Sequence, residues 1–310
     1  MSVNNSYFDA IADLSVEDVL SSSELILAAS KELLAGTQAY DLLFNPVKVN
    51  ALTVAYNEDV APGLDQEVRK VPEFGEIPVG DPRRGKKKYA DIEKYAIGIR
   101  VSYEQEHFTS GADVQRELVA RMAEVRRANS LAALEALAEA DIEEFPVATK
   151  WSEADATPVD DLYATDDLIS GARDDLGNPF NYSAGYVWAN RRTLNALKRA
   201  KQTKDLYTGD MAHANPLFAD IARQPLIAEQ FRLVPDQTLA DGVAYVFADE
   251  EYGKIGSRFQ LGEPKTSDWY SEGGDSTLGG STMSKRTDWV HWRGLAVRAP
   301  KAIVKVTGAL

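Results

Sequence analysis

The residues best suited to chemistry are few and scattered along the chain. His107, His213 and His291 lie far apart in sequence, and none has a second ligand at the spacing of a metal site. The chain has no cysteine, which excludes disulfides, thiolate metal sites and thiol nucleophiles. It also lacks a phosphate-binding glycine loop, a dinucleotide fingerprint, a His-Glu-x-x-His helix and a Gly-x-Ser-x-Gly elbow. We therefore predict no catalytic residue, no cofactor and no metal, and a protein that is not an enzyme.

Carboxylates are abundant, with 48 acidic against 34 basic side chains and a formal net charge of −14. Neighbours such as Asp166 and Asp167, or Asp174 and Asp175, do not face each other on a helix, so we interpret them as solvated or helix-terminal charges. The charge argues against tight general binding to nucleic acid. It fits a container that does not grip packed DNA, and it equally fits an acidic soluble enzyme.

One dense basic cluster stands out in this acidic chain. It consists of Arg83, Arg84, Lys86, Lys87 and Lys88. Two interpretations stay open: a solvated flank of a hairpin, or an electrostatic contact with an acidic neighbour. Nucleic-acid binding ranks below both, because no aromatic side chains are interleaved among these charges.

A second charged group lies on the most regular element of the sequence. A strand is predicted over Lys94 to Tyr103, followed by an uninterrupted helix from Asp113 to about Ala140, roughly 42 Å long at 1.5 Å per residue. One helix face alternates in sign, through Arg116, Glu117, Arg121, Glu124, Arg126 and Arg127. We expect this face to be solvated, and contact with a partner subunit is the alternative.

The elements before this strand look incomplete by themselves. Ser15 and Asp18 resemble a capping pair for a helix that ends at Gly36 and either closes the chain's own core or packs on another subunit. A strand-like stretch from Val47 to Tyr56 then leads into a segment rich in Pro and Gly. It predicts a long two-stranded excursion that needs a surface to lie on.

A mixed second lobe follows an acidic connection, Glu143 to Asp161. The predicted elements, in order, are a helix from Thr165 to Leu176 ended by Gly177, a strand from Tyr186 to Ala189, a basic helix from Thr193 to Lys201, and strands at Phe231 to Val234 and Val243 to Phe247. Gly262 to Ser284 is predicted to be a flexible loop or the long connection back to the first lobe, and Trp289 to Val306 a strand broken by Pro300. No stretch approaches the roughly 18 apolar residues of a membrane helix.

Three stretches together resemble the major capsid proteins of tailed bacteriophages, the Hong Kong 97 fold. They are Lys94-Tyr-Ala-Ile-Gly-Ile-Arg-Val-Ser-Tyr-Glu before the helix, Val187-Trp-Ala-Asn-Arg-Arg-Thr-Leu-Asn-Ala-Leu-Lys, and Arg293-Gly-Leu-Ala-Val-Arg-Ala-Pro-Lys-Ala-Ile-Val-Lys-Val-Thr. Each pattern is loose, and their order and spacing carry the resemblance. It implies an α+β fold and a division into five parts: an N-terminal arm (1–45), an extended loop and strand (46–103), a peripheral domain with a spine helix (104–160), an axial domain (161–282) and return strands of the peripheral domain (283–310).

The resemblance also implies a function and partners. The chain would assemble with copies of itself into hexamers and pentamers of an icosahedral shell around double-stranded DNA, without sequence-specific binding and without a membrane. It would be part of the virion and assemble in the host cytoplasm. The inter-subunit contact candidates are Arg83, Arg84, Lys86, Lys87, Lys88, Arg116, Glu117, Arg121 and Glu124.

Some members of that family link a Lys of the extended loop to a late Asn of a neighbour. Lys86 to Lys88 are available here, but no Asn follows Asn215, so we expect a noncovalent shell. We also expect a separate scaffolding protein, since the sequence starts at Met1 and leaves no room for a long N-terminal scaffold segment. A decoration protein is a further possible partner. An encapsulin-type nanocompartment is the nearest alternative, and a soluble two-lobed carboxylate enzyme a more distant one.

Overall fold

The computed structural model describes residues 11, 14, 16–21, 23–34, 38–66, 68–109, 111–208, 226–227, 230–249, 254–273 and 282–310. The helices are α1 (Val16–Ser21), α2 (Ser23–Leu34), α3 (Ala39–Leu43), α4 (Tyr103–Phe108), α5 (Gly111–Glu139), α6 (Pro158–Ser170), α7 (Arg191–Arg199) and α8 (Lys201–Thr208). The strands are β1 (Phe44–Lys48), β2 (Thr53–Asn57), β3 (Lys87–Asp91), β4 (Glu93–Ser102), β5 (Glu143–Pro146), β6 (Ala184–Ala189), β7 (Leu226–Ile227), β8 (Phe231–Pro235), β9 (Ala244–Ala248), β10 (Gly256–Gln260), β11 (Lys265–Thr266), β12 (Tyr270–Ser271), β13 (Ser284–Val297) and β14 (Ile303–Thr307).

The first sheet is built on the 14-residue strand β13. One edge of β13 pairs antiparallel with all of β4, and the other pairs in turn with β10, β11 and β12, with β1 parallel to β10. The predicted strand is therefore confirmed as β4. Tyr95, Ile97, Ile99 and Val101 are more buried than the residues between them, as the alternation predicts.

The second sheet has the order β5-β14-β9-β6-β8-β7. Both β6 and β9 are buried at every residue, which confirms the prediction that the apolar strand near Val243 is central. The final strand was expected to return to the first lobe, but β14 pairs with β9 and β5 of the second sheet. A 3-10 turn at Pro300–Ala302 separates β14 from β13 and lets the chain change sheets.

Three local predictions need correction. Thr165 does not cap a helix: it is buried inside α6, where its hydroxyl donates to the Leu162 carbonyl at 2.6 Å. The signal that was missed is Pro158 in the first turn, and α6 ends before Gly171 rather than at Gly177. The acidic connection contains β5, and the expected loop from Gly262 to Ser284 contains β11 and β12. Its residues 274–281 lie outside the described part of the chain.

The predicted long helix is confirmed as α5, with 29 residues. Its N-terminal half packs through Met122 and Val125 against Trp289 of the first sheet. Its C-terminal half packs through Ala133 and Leu137 into the core of the second sheet. One helix therefore joins the two sheets. None of the described helices combines the length and apolar character needed to cross a bilayer.

The N-terminal arm packs on its own chain. In α1 and α2, Val16, Val19 and Ile26 are buried in a cluster with Val114 and Leu118 of α5. Of the two alternatives left open for the arm, the structure supports closure of the chain's own core. Ser15 and Gly36, the expected helix boundaries, lie outside the described residues, and α2 ends at Leu34.

Replacing Ile26 with Ala tests this packing. Because Ile26 is 1% exposed, the free energy of unfolding of the unassembled chain should fall by about 2–5 kcal/mol in a urea titration. The matched control is Ile77→Ala, since Ile77 is 75% exposed and should change it by less than about 0.5 kcal/mol. Equal effects at the two positions would contradict an arm that packs on its own helix.

Candidate functional site

The extended loop leaves the first sheet as a two-stranded ribbon. β2 and β3 pair antiparallel, with Thr53 opposite Asp91 and Asn57 opposite Lys87. At the base of the ribbon, Ala90 is buried in a small cluster with Phe259. The predicted two-stranded excursion is confirmed. Its first strand does not begin at Val47, because β1 pairs separately with β10 before the chain turns into β2.

Beyond the ribbon, the described residues between 58 and 86 form no regular helix or strand. An isolated bridge joins Leu64 to Pro82, and Asp65 and Asp81 bond to each other, with the Asp81 N–H donating to the Asp65 carboxylate at 2.7 Å. We call residues 64–82 the loop tip. Among the described residues, the contacts that join its two ends are this bridge and the two hydrogen bonds between Asp65 and Asp81.

The loop tip carries large apolar side chains that its own chain does not cover. Val68 is 104% exposed, Phe74 101%, Val79 87% and Ile77 75%. Single exposed apolar residues are ordinary, but several in one segment indicate a contact surface. These residues were not among the contact candidates predicted from the sequence. The available signal was apolar residues in a segment whose Pro and Gly content prevents a core of its own.

The basic cluster divides into two groups. Arg83 forms an ion pair with Asp174 at 3.3 Å and donates to the Leu64 carbonyl at 2.9 Å, and Lys88 pairs with Glu58. These two cations therefore serve the chain's own loop. The remaining members, Arg84, Lys86 and Lys87, are exposed. The glycine between them, Gly85, lies so close to Glu58 that a Cβ would meet its carbonyl oxygen at 2.0 Å.

Asp174 is the acceptor that anchors Arg83. Desolvation opposes its ionisation, but hydrogen bonds from Asn178 and Leu176, together with Arg83, hold its pKa below the usual range. The carboxylate is therefore charged at neutral pH. This links the root of the loop tip to the segment that follows α6.

Only some residues on the charged face of α5 are exposed, as the prediction of a solvated face requires. Arg116 pairs with Asp113 at 3.2 Å, and Glu124 with Arg127 at 3.7 Å, each within the helix. Arg116, Glu124 and Arg127 are exposed, and Asp113 is half-buried. Glu117 is half-buried, where it accepts from the Gln105 amide at 3.0 Å and burial raises its pKa. Of these candidates, Arg116 and Glu124 are the best placed to meet a neighbour.

Arg121 is not on the solvated face and must be corrected. It is 2% exposed, donates to the Ser30 hydroxyl of α2 at 3.2 Å, and burial lowers its pKa to about 10. Steps of four, three and four residues join Val114, Leu118, Arg121 and Val125, so Arg121 lies within the buried stripe of the helix. It belongs to the packing of the arm on α5.

The described residues bring no set of metal ligands together. His107 is exposed and stacks on Tyr103 with ring centroids 4.1 Å apart, while His291 is buried beside Trp289. His213 lies outside the described residues.

One groove of the described structure is lined by several carboxylates. It has a volume of about 670 Å³ and separates the ribbon from α5. Glu93, Glu135 and Glu139 line it, beside Tyr95 and Arg293. Burial raises the pKa of Tyr95, which is therefore neutral at physiological pH.

No protein-family model matches the sequence, and no curated protein matches it. Solved structures do match. The capsid of cyanophage P-SCSP1u superposes with a TM-score of 0.58 and 10% identity over 88% of each chain. A phage-related protein of Bordetella bronchiseptica gives 0.56 and 13%, covering 95% of this chain and 98% of that one. A virus-like particle from Pyrococcus furiosus gives 0.54 and 13%, covering 91% and 95%.

This chain has the Hong Kong 97 capsid fold. The similarities cover 88–95% of this chain and 88–98% of the other chains. The expected α+β class is confirmed with them. At 10–13% identity these matches establish the fold alone.

Replacing Arg83 with Gln tests the anchor of the loop tip. Hydrogen exchange at the amides of Asp65 and Asp81 should become about twofold to fivefold faster at pH 7, as expected for loss of one partly exposed ion pair. Arg84→Gln is the matched control and should leave both rates unchanged. Because the pKa of folded Asp174 is lowered, the anchor should persist above its unfolded value and weaken as the pH falls through the folded one. Equal rates in wild type and Arg83→Gln would contradict the anchor.

Proposed function

We propose that this protein is a structural subunit of a capsid shell. The observation that carries the proposal is the loop tip, whose Val68, Phe74, Ile77 and Val79 are uncovered on a chain with a capsid fold. Burying such side chains is favourable by about 1.5–3 kcal/mol each, so a covering surface on a second copy would stabilise association substantially. The Hong Kong 97 fold makes a second copy the natural partner.

The finer proposal is an icosahedral bacteriophage shell of hexamers and pentamers that encloses double-stranded DNA. It is supported by the phage capsids among the similar structures and by the net charge of −14. A negative shell would not bind the phosphates of the enclosed DNA tightly. The protein would then belong to the virion and assemble in the host cytoplasm. A separate scaffolding protein and a decoration protein remain proposed partners.

The five-part division is proposed with two changes. Strands β5 and β14 pair in the second sheet, which favours moving Glu143–Pro146 and Ile303–Thr307 from the peripheral to the axial domain. Strands β10, β11 and β12 pair with β13 in the first sheet, which favours moving residues 256–271 from the axial to the peripheral domain.

A cellular nanocompartment of the same fold is the second candidate. The similarity to a virus-like particle from Pyrococcus furiosus favours keeping it. The two candidates differ in what the particle encloses, since a phage shell holds DNA and a nanocompartment holds protein. A carboxylate enzyme would instead form a small oligomer that turns over a substrate in the groove beside α5.

Electron microscopy of the purified protein tests the proposal. We expect closed particles that run on a denaturing gel as a single band at the chain mass of 34.0 kDa, because the shell is noncovalent.

Phe74→Ser with Val79→Ser should abolish particles and leave a folded chain, since neither side chain contributes to the core. Phe108→Ser is the matched control, because Phe108 is 80% exposed but lies outside the loop tip. Small defined oligomers would contradict the capsid shell. A ladder of higher masses on the gel would contradict a noncovalent shell.

Replacing Arg84, Lys86 and Lys87 with Gln tests the exposed basic group. At low ionic strength the particle yield should fall, and the difference from wild type should shrink as salt is added, because salt screens exposed charges. The control replaces Lys31, Lys265 and Lys301, which are also exposed. The same loss in both variants, or no dependence on salt, would indicate that the group is merely solvated.

A further inference from the structure

Strand β13 continues beyond the end of its partner β4. The pairing of the two strands stops at Glu93, opposite Arg293, whereas β13 extends to Val297. Its last four residues, Gly294–Val297, pair with β10 along one edge, and no other described strand pairs with the opposite edge. We call this opposite edge of Gly294–Val297 the open edge. An unpaired strand edge presents N–H and C=O groups that can bind a further strand.

The open edge exists because the chain before β4 turns away from the sheet. Strand β3 ends at Asp91, whose carbonyl oxygen would lie 2.2 Å from a Cβ on Gly294. From this crossing the ribbon packs over one face of the sheet, through Ala90 and Ala296, and does not pair with β13. Val297 points to the other face and packs into the cluster shared with α5. The open edge is therefore flanked by the ribbon and α5.

The groove of about 670 Å³ between the ribbon and α5 is lined by the residues of the open edge. Four strand residues span roughly 13 Å at 3.3 Å per residue. On the helix side the wall contains Ala132 and Ala136, whose small side chains leave space beside the edge. On the ribbon side it contains Tyr56 and Tyr89, and Tyr89 is 66% exposed. The groove therefore has the length of a short extended peptide.

The groove is acidic. Glu93, Glu135 and Glu139 line it, are exposed, and form no ion pair within the described part of the chain. Glu135 and Glu139 are one helical turn apart, which places their Cβ atoms about 5–6 Å from each other. Alternate side chains of a strand are about 6.6 Å apart. Two basic side chains on one face of an added strand would therefore match these two glutamates.

The cations that border the groove are already engaged within the chain. Lys88 pairs with Glu58. Arg293 is 2% exposed and is held between two aromatic rings, 4.4 Å from the centre of Tyr95 and 5.0 Å from that of Tyr40. Neither cation forms an ion pair with the glutamates of the groove, so its wall keeps a surplus of negative charge.

We propose that this groove binds an extended segment of a separate protein, in which basic and apolar side chains alternate, as a strand added to the open edge of β13. Main-chain hydrogen bonds to the edge would supply affinity, and side chains would supply specificity. Because successive side chains of a strand point to opposite faces, the basic residues would meet Glu135 and Glu139 while the apolar ones meet Ala90 and Tyr56. This inference goes beyond the proposed function and does not depend on it.

A second copy of this chain is the other occupant to consider. The basic residues before β3 belong to the ribbon, where the Glu58 N–H donates to the Lys86 carbonyl at 2.9 Å, and the basic segment α7 is helical. In the loop tip Arg69 and Lys70 are adjacent, so a strand would point them to opposite faces. The described basic segments of a second copy are thus unsuited to the groove, which favours a separate protein.

Peptide binding tests the groove. The probe is a fluorescent eight-residue peptide of alternating lysine and valine, titrated against the wild-type chain before assembly and again against assembled particles. Binding is read by fluorescence anisotropy at low salt. Two further peptides carry N-methyl groups, one on every lysine amide and the other on every valine amide. Both keep the charge of the parent peptide, but each has lost the N–H donors along one of its two edges.

The protein variants test the acidic wall. Glu135→Gln with Glu139→Gln should weaken binding of the parent peptide roughly threefold to tenfold, because two partly exposed ion pairs are lost. Glu104→Gln with Glu124→Gln is the control of matched charge outside the groove, and it should stay within about twofold of wild type. All four glutamates are exposed, so circular dichroism should show the same folded chain for both variants.

The two N-methylated peptides test strand addition. Alternate residues of a strand direct their N–H groups to opposite edges, so only one of the two peptides loses the bonds to β13. That peptide should bind at least about tenfold more weakly than the parent, whereas the other should bind like the parent.

Equal affinities of the two N-methylated peptides overturn the proposal, because charge attraction without an added strand predicts equality. Unchanged affinity of the Glu135→Gln, Glu139→Gln variant places the peptide elsewhere and overturns it too, as does absence of binding to the unassembled chain. A peptide that binds the unassembled chain but is excluded from particles indicates a second copy in the groove, and overturns the assignment to a separate protein. None of these outcomes bears on the capsid proposal, which the particles themselves test.

Discussion

The structure depends on one helix that buries its apolar stripe against two different sheets. A helix of 29 residues extends for about 43 Å and contacts the cores of both sheets. Met122 and Val125 therefore reach the first sheet, and Ala133 and Leu137 the second. Because the stripe is continuous, the helix fixes the position of one sheet relative to the other. The ribbon at the root of the loop tip contacts β13 of the first sheet through β3.

Polar contacts set the register of this packing. Arg293 of β13 is 2% exposed and has no carboxylate within hydrogen-bonding distance in the described chain. It donates to the Tyr40 hydroxyl at 3.0 Å and to Asn129 of α5, and lies 4.4 Å from the centre of the Tyr95 ring. Hydrogen-bond acceptors and ring faces thus stabilise a buried cation. Desolvation and this charge lower the pKa of nearby His291 to about 4, so it is neutral at physiological pH. On the second sheet, Asp236 accepts from Ser130 of α5 at 2.6 Å and from Trp188 at 3.2 Å.

Periodicity in the sequence predicted the elements that bury one face, and it failed where a tertiary contact decides. Alternation along β4 and helical spacing along α5 are local signals, so both elements were correctly placed. The burial of Arg121 against Ser30 depends on where α2 lies, although its position on the apolar stripe was a visible clue. The membership of β14 in the second sheet could not be predicted, because strand pairing is not local in sequence. For the candidate site, the sequence predicted an extended loop but not the exposure of its apolar side chains.

The loop tip is apolar, whereas the exposed surface of the second lobe is charged. This difference suggests that the two surfaces have different roles in assembly. Apolar contact is strong and non-directional, so the loop tip can supply binding free energy but little orientation. Charged patches contribute less free energy when exposed, but they discriminate against wrong arrangements because like charges repel. The loop tip is joined to the first sheet through the ribbon, whereas the oppositely charged helices α6 and α7 pack on the second. A subunit built this way would gain its affinity through one lobe and its orientation relative to its neighbours through the other. The long helix couples the two, since it fixes the position of one lobe relative to the other.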